Sequence, residues 1–242
     1  EYMLKAVREA KVHTSWINPD QAYESALSDF IAALLTPSGR NRFLADFAPV
    51  ARRVARFGMF NSLSQTLVKL ASPGVPDIYQ GNELFDLSLV DPDNRRPVDY
   101  GMRDALLRDL EVRMQRGAGD CAVEARVLLD SIADGRAKLY VTWRALEVRR
   151  RHERLFRDGD YLALTPAGQF SDHLCAFARR LGDEAVVVVA PRLYSRLLGE
   201  RDVPPIGEQV WGDTEIGLGP LGLVARALYN EFSGEEVRLH QS

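Results

Sequence analysis

Apolar side chains recur at intervals close to 3.6 residues over roughly the first 150 positions, which predicts helices. The clearest stripe contains five large side chains: Tyr23, Leu27, Phe30, Ile31 and Leu34. Asn18 is the expected N-cap of this helix, Pro19 suits its first turn, and Gln21 would complete a capping box. A second stripe over residues 43–57 contains Pro49 and is expected to stop at Gly58, before a separate helix over residues 62–70.

From about residue 156 the pattern changes to short apolar runs separated by Gly and Asp, which is typical of strands. Strands are predicted at six places: 159–162, 173–180, 185–191, 210–216, 224–229 and 236–239. The expected fold class is α+β. A mainly helical segment, residues 1–155, is followed by a small antiparallel β domain, residues 156–242.

Composition excludes several classes of function. The 242 residues carry a formal net charge of −3, with 31 basic and 34 acidic side chains. This balance offers no basic surface for nucleic acid or an anionic membrane, and no apolar run is long enough to span a bilayer. Cys121 and Cys175 lack the spacing of a zinc site and are expected to be buried thiols, with a disulfide between them as the alternative. We therefore expect a cytoplasmic protein without metal or cofactor.

Polar chemistry is concentrated in residues 81–100, which follow a predicted short strand near residues 77–80 and are called the polar loop below. Among its polar and charged residues are Glu83, Asp86, Asp91, Asp93, Asn94, Arg95, Arg96 and Asp99. Carboxylates and guanidinium groups bind sugar hydroxyls through charge-assisted hydrogen bonds. The plainer alternative is that these acids and arginines pair with one another in a solvated turn.

The motifs around this loop resemble glycoside hydrolase family 13, the α-amylase family. Residues 73–83, PGVPDIYQGNE, match the last barrel strand of that family, with the pattern Gly-x-Pro-x-x-Tyr-x-Gly-x-Glu. Residues 91–97, DPDNRRP, match the Asp-Pro-x-x-Arg-x-Pro loop that follows it. The resemblance implies that residues 77–80 are the last strand of a TIM-type barrel. It also implies that Asp91 and Arg95 hold a glucose unit.

Four further segments narrow the resemblance to maltooligosyl trehalose synthase: residues 8–16, 61–67, 90–100 and 138–146. This family converts the reducing-end α-1,4 linkage of a maltooligosaccharide into an α,α-1,1 linkage by retaining transglucosylation. The three carboxylates of that chemistry lie on barrel strands that no part of this sequence resembles. The resemblance therefore implies a C-terminal segment without catalytic residues, whose partners are a maltooligosaccharide and the remainder of the barrel.

Ten residues are predicted substrate contacts: Tyr79, Glu83, Asp91, Asn94, Arg95, Arg96, Lys11, His13, Ser15 and Trp16. The family pattern itself assigns the contact to Asp91 and Arg95, and Asn94 and Arg96 either contact the sugar or brace Arg95. Structural roles compete with these assignments, since a strand tyrosine or a lone His and Trp beside a helix often serve packing. The apolar stripe of residues 23–34 is expected to be partly exposed in this chain and to promote self-association. The competing function is a free-standing, non-catalytic carbohydrate-binding or interaction module.

Overall fold

The computed structural model describes residues 1–88, 91–115, 118–222 and 227–239. Helices come first along the chain: α1 Tyr2–Ala10, α2 Gln21–Leu35, α3 Arg42–Ala71, α4 Tyr100–Met114, α5 Ala118–Asp130, α6 Arg136–Arg151 and α7 Glu153–Asp158. Two short helices lie among the strands: α8 Tyr194–Leu198 and α9 Glu208–Trp211. The strands are β1 Asp160–Ala163, β2 Pro166–Ala167, β3 Leu174–Leu181, β4 Glu184–Pro191, β5 Glu215–Ile216, β6 Ala227–Tyr229 and β7 Glu236–Arg238.

The chain divides into two compact units. Unit 1 comprises Glu1–Ala55 and Ser88–Asp93, and unit 2 comprises Arg56–Leu87 and Asn94–Ser242. The sequence predicted a division at residues 155 and 156 instead, on the basis of helix and strand content. Consistent with that content, the strands assigned among the described residues all lie after α7. The predicted domain division itself stays a prediction.

Helix α2 in unit 1 begins two residues later than the predicted N-cap requires. Asp20, and not Asn18, caps it, and the Asp20 side chain accepts a hydrogen bond from the Tyr23 amide. The Asn18 amide instead donates to Ser15 Oγ in the preceding turn. A carboxylate is a strong acceptor for the free amides of a first turn and is favoured by the helix dipole. Gln21 is the first helical residue, so it cannot close the predicted capping box.

Helix α3 is continuous over 30 residues, which corrects the prediction of two helices separated at Gly58. Pro49 lies inside it and removes one backbone hydrogen bond without ending it. Gly58 costs about 1 kcal/mol relative to Ala in a helix, which is small beside the burial of a large aromatic side chain. Phe57 and Phe60, on either side of Gly58, are both buried, so packing overrides the local breaker.

The main core of unit 2 is helical. It collects buried side chains from α3, α4, α5, α6, α8 and α9, among them Phe60, Leu110, Leu128, Tyr140 and Leu197. A second cluster joins the end of α3, α6 and α7 to the sheet formed by β3 and β4. Leu84, near the start of the polar loop, is a buried member of the main core, so the loop begins in contact with that core.

The described residues form three small antiparallel sheets toward the C-terminus of unit 2: β1-β3-β4, β2-β5 and β6-β7. In the largest, Leu162 pairs with Ala178, which pairs in turn with Val187. The α+β fold class is thereby confirmed. The strand predicted over residues 210–216 is wrong in its first half, since Val210 and Trp211 belong to α9. Residues 224–226 of another predicted strand lie outside the described residues.

The predicted barrel strand near residues 77–80 is not formed. Residues 75–79 have no assigned secondary structure and residue 80 lies in a turn. A β-strand is defined by hydrogen bonds to a neighbouring strand, and no such neighbour is paired with this segment among the described residues. The thiol prediction also needs correction, because Cys175 is exposed and Cys121 only half-buried. Among the described residues, no helix is long and apolar enough to cross a membrane.

Candidate functional site

The polar loop leaves the segment after α3 at Gly81, which has a φ of 88° that favours glycine. Tyr79, just before it, is 44% exposed and so is available to a ligand. Glu83 is half-buried, and its Oε2 accepts a hydrogen bond from Arg103 Nε at 3.1 Å. This charge-assisted hydrogen bond holds one oxygen of the Glu83 carboxylate against Arg103 and so fixes the side chain.

Lys138 contacts the same part of the loop from its buried side. It lies in α6, is 7% exposed, and its Nζ donates to the Leu84 carbonyl at 3.0 Å. Burial lowers the pKa of Lys138, and the nearby charge of Lys69 acts in the same direction, whereas Asp86 and Glu83 oppose it. The ammonium also lies 5.7 Å from the centre of the Phe85 ring, which offers a partial replacement for lost hydration.

The far arm of the polar loop carries Asn94, Arg95 and Arg96 in unit 2. A single 3-10 turn, Asp93–Arg95, orients it. Arg95 and Arg96 are exposed, while Asn94 is half-buried and its Oδ1 finds no hydrogen-bond partner among the described residues. In unit 1, Asp91 is exposed and Asp93 forms an ion pair with Lys5 at 2.5 Å. Arg95 and Arg96 thus lie at the surface of this arm of unit 2.

The predicted residues of unit 1 form the turn between α1 and α2. Lys11 adopts a left-handed conformation, with φ of 55°, at the end of α1. The His13 ring lies 5.1 Å from that of Tyr23, and Ser15 Oγ accepts the Asn18 amide at 2.9 Å. Lys11 and His13 are exposed, so their side chains can reach a ligand, whereas the Ser15 hydroxyl already serves the turn.

Trp16 is held in place by two contacts within unit 1. Its Nε1 donates to Glu9 Oε1 at 2.7 Å, and the Arg8 guanidinium lies 4.9 Å from the ring centre. The side chain nevertheless remains 51% exposed. An oriented and accessible indole provides an apolar surface on which a sugar ring can stack.

A charged cluster behind this turn fixes its shape. Glu24 accepts hydrogen bonds from Arg8 Nε at 2.9 Å, from Arg8 Nη2 at 2.5 Å and from the Thr14 hydroxyl at 2.6 Å. The Arg8 hydrogen bonds, followed by that of Thr14, lower the pKa of Glu24 to about 2, against an ordinary value of 4.5. Thr14 and Glu24 are the buried residues of unit 1 among those described, so this unit lacks a buried apolar side chain there.

We predict that the Glu24 carboxyl titrates near pH 2 and that Arg8→Met moves this midpoint toward 4.5. Because the pKa of Glu24 is lower in the folded chain than in the unfolded chain, its ionised carboxylate stabilises the fold. This stabilisation is complete above pH 4.5 and is lost as the pH falls from about 4.5 toward 2. Carboxyl carbon NMR shifts report the midpoint directly, with Arg40→Met as the control. A Glu24 midpoint near 4.5 in the unaltered chain would contradict the assignment.

The structure places Glu83, Asn94, Arg95 and Arg96 on the parts of the polar loop that belong to unit 2, with Tyr79 just before the loop, and it places Asp91 on the part that belongs to unit 1. The other predicted residues, Lys11, His13, Ser15 and Trp16, lie in the α1–α2 turn of unit 1. Three contributors went unrecognised in the sequence: Arg103, Lys138 and the Arg8–Glu24 pair. Arg8 and Lys138 lie within segments that carry the resemblance but were given no role there, while Arg103 and Glu24 resemble ordinary helix-surface charges. Among the described residues, no group of three or more His, Cys, Asp or Glu side chains could hold a metal ion.

Comparison with known proteins identifies relatives of this chain. No known family profile matches the chain. A protein of Mycobacterium tuberculosis described as a putative maltooligosyl trehalose synthase is 34% identical over 224 residues, which are 91% of this chain and 25% of that protein. The maltooligosyltrehalose synthase structure from Arthrobacter ramosus matches 98% of this chain and 27% of its own, with 33% identity and a TM-score of 0.73.

A hypothetical maltooligosyl trehalose synthase of Sulfolobus tokodaii matches 78% of this chain at 31% identity, with a TM-score of 0.55. The chain spans about a quarter of the length of the curated relatives that it matches. Nearly its whole length is therefore related to one part of the maltooligosyl trehalose synthases, which confirms the resemblance found in its motifs.

Proposed function

We propose that this chain forms part of a maltooligosyl trehalose synthase, an isomerase of the α-amylase family. Such an enzyme moves the reducing-end glucose of a maltooligosaccharide from an α-1,4 to an α,α-1,1 linkage. The observation that carries the proposal is the 34% identity over 91% of the chain, together with the structural match at a TM-score of 0.73. Because the relatives are about four times longer, the nucleophile and the acid/base carboxylate of this reaction are assigned to their other segments.

The chain's own contribution is to bind substrate. In unit 2, Arg95 and Arg96 present guanidinium groups that donate to sugar hydroxyls, while Asn94 and Tyr79 add neutral polar groups. In unit 1, Trp16 offers a stacking surface, and Lys11, His13 and Asp91 offer polar contacts. Glu83 and Ser15 act mainly on the protein itself, since each is already bonded within it.

Retention of the freed glucose is what separates this isomerase from a hydrolase. After cleavage of the α-1,4 bond, the glucose must stay bound while it turns and attacks through its own anomeric hydroxyl. Several charge-assisted hydrogen bonds can hold a small polyol through that step, and they compete with water for the same hydroxyls. Donors placed on a supported loop meet this requirement better than donors on a loose one.

Unit 1 also supplies a surface for the remainder of the barrel. Its helices expose Phe30 and Leu35 of α2 and Phe43 and Phe47 of α3, at 39% to 63% of their accessible area. The Phe43 and Phe47 rings stack with their centres 5.1 Å apart. We propose that segments corresponding to the rest of the relatives' length cover these side chains, and that the chain self-associates when they are uncovered.

A chimera tests the function. The matching segment of the Arthrobacter ramosus enzyme is replaced with this chain, and the product is incubated with maltopentaose. We expect loss of reducing ends without release of free glucose, and a monodisperse protein by sedimentation. The isolated chain should bind maltopentaose in calorimetry without converting it, and should associate.

The possible outcomes separate the competing functions. A free-standing carbohydrate-binding module would bind maltopentaose as the isolated chain, while its folded chimera would remain inactive. A chimera that folds, as judged by circular dichroism and sedimentation, but neither binds nor converts maltopentaose would overturn the proposal. Cellopentaose, whose linkages are β-1,4, serves as the control ligand in both experiments.

A further inference from the structure

Arg103 joins the two ends of the polar loop. It lies in the first turn of α4, immediately after the Asp99 cap. Its Nη2 donates to the Gly81 carbonyl at 3.0 Å and its Nη1 to the Asp99 carbonyl at 3.1 Å. Gly81 and Asp99 are the first and the penultimate residues of the loop, so one guanidinium closes its base.

The third contact of Arg103 reaches into the loop itself. Its Nε donates to Glu83 Oε2 at 3.1 Å, and the Arg103 side chain is only 16% exposed. All three contacts are made by one planar group, whose five donors have a fixed geometry. A lysine at this position would keep the charge but could not reproduce this planar arrangement of donors.

Neighbouring contacts make the base of the loop rigid. Lys138 donates to the Leu84 carbonyl, and the Leu84 side chain is part of the main core. On the opposite side, a Cβ placed on Gly81 would lie 3.4 Å from Val98 Cγ2, which shows that the two arms are in close proximity there. Closing a long loop at its base removes conformational freedom that ligand binding would otherwise have to remove.

We propose that Arg103 is a positioning residue for the sugar site of unit 2. It holds the arms of the polar loop together and fixes Glu83, so that Asn94, Arg95 and Arg96 are presented in one arrangement. Arg103 is assigned to the loop and not to the sugar, since three of its five donors are directed to Gly81, Glu83 and Asp99 and its side chain is only 16% exposed. This inference rests on the proposed function.

The test compares Arg103→Ala with Arg108→Ala, which removes an exposed arginine that pairs with Asp104 on the same helix. We expect Arg103→Ala to weaken maltopentaose binding about fivefold and Arg108→Ala to leave it unchanged. Arg103→Lys should recover only part of the affinity. Hydrogen exchange should become at least about tenfold faster at the amides of residues 82–88 in Arg103→Ala, with no change in α6.

Each outcome has a distinct meaning. Equal binding by the unaltered chain and Arg103→Ala would overturn the positioning role and leave the proposed function intact. Unchanged exchange over residues 82–88 would overturn the closure of the loop by Arg103. If the unaltered chain fails to bind maltopentaose, the sugar-binding function is contradicted, and with it this role of Arg103. The exchange measurement then still decides whether the guanidinium closes the loop.

Discussion

Replacing Arg179 with Ala is expected to lower the free energy of unfolding by about 3 kcal/mol, because buried carbonyl groups lose their donor. Arg179 lies in β3 and is only 1% exposed. Its Nη2 donates to the carbonyls of Gly159 at 2.7 Å and Phe156 at 3.0 Å. These carbonyls belong to the end of α7 and the residue before β1, where the helix leaves its last acceptors unpaired.

Opposing contributions set the size of this effect. Burial lowers the pKa of the Arg179 guanidinium, and the charge of Asp160 only partly opposes it. Placing this charge in the interior therefore costs free energy, which the carbonyl hydrogen bonds and the Phe156 ring, 5.8 Å away, offset. Arg179→Ala removes the donors and also leaves a cavity, so the losses add. Arg179→Met fills the space without donating, and we expect an intermediate loss.

Urea unfolding followed by circular dichroism measures the change, provided that the slope of the transition is preserved. Arg180→Ala is the matched control, since Arg180 is the next residue of β3 and its side chain, among the described residues, donates only to the Gly182 carbonyl in its own hairpin. Its loss should change the free energy of unfolding by less than about 0.5 kcal/mol. Equal losses for the two variants would contradict the role assigned to Arg179.

Sequence patterns predicted the elements whose local signals agree with their packing. Short apolar runs bounded by Gly and Asp predicted strands over residues 173–180 and 185–191, and these residues form the β3–β4 hairpin. These elements could be placed without knowledge of their partners.

Sequence predictions were wrong where tertiary packing outweighed the local preference of individual residues. Gly58 and Pro49 indicated the end of a helix, but Phe57 and Phe60 are buried on the continuous α3. Val210 and Trp211 indicated a strand, but Gly207 and Gly212 enclose a single helical turn that places Val210 in the core. Residues 77–80 had the composition of a strand, yet composition cannot provide a neighbouring strand to pair with.

The candidate site was predictable to the extent that its chemistry is local. The polar loop could be identified because its acids, amide and arginines lie within 20 residues, and the resemblance named Arg95 among them. The role of Arg103 could not be predicted, because in the sequence Arg103 resembles Arg108, which pairs with Asp104 on the helix surface. What separates them is the fold, which brings Gly81 to the start of α4 and gives Arg103 two backbone carbonyls to bind.

Arg95→Ala is expected to reduce the catalytic efficiency of the chimera on maltopentaose by at least tenfold, through a higher Michaelis constant or a lower turnover. Tenfold corresponds to about 1.4 kcal/mol, within the range for losing a hydrogen bond from a charged group. Arg95 is exposed on the far arm of the polar loop, and circular dichroism of the variant checks that its replacement leaves the fold intact. Initial rates measured from the loss of reducing ends give both kinetic parameters.

Arg96→Ala and Arg95→Lys define what the Arg95 side chain contributes. If Arg95 binds the sugar with two donors, Arg95→Lys should recover only part of the efficiency, because an ammonium cannot reproduce a planar bidentate contact. Arg96→Ala should then cost less than Arg95→Ala, since the family pattern assigns the sugar contact to position 95. Unchanged kinetics in Arg95→Ala would contradict the assignment of this arm as a sugar site, whereas equal losses at both positions would show that the two guanidinium groups share the contact. The step that changes is also informative, because a donor that holds the freed glucose during its rotation should lower turnover and raise glucose release together.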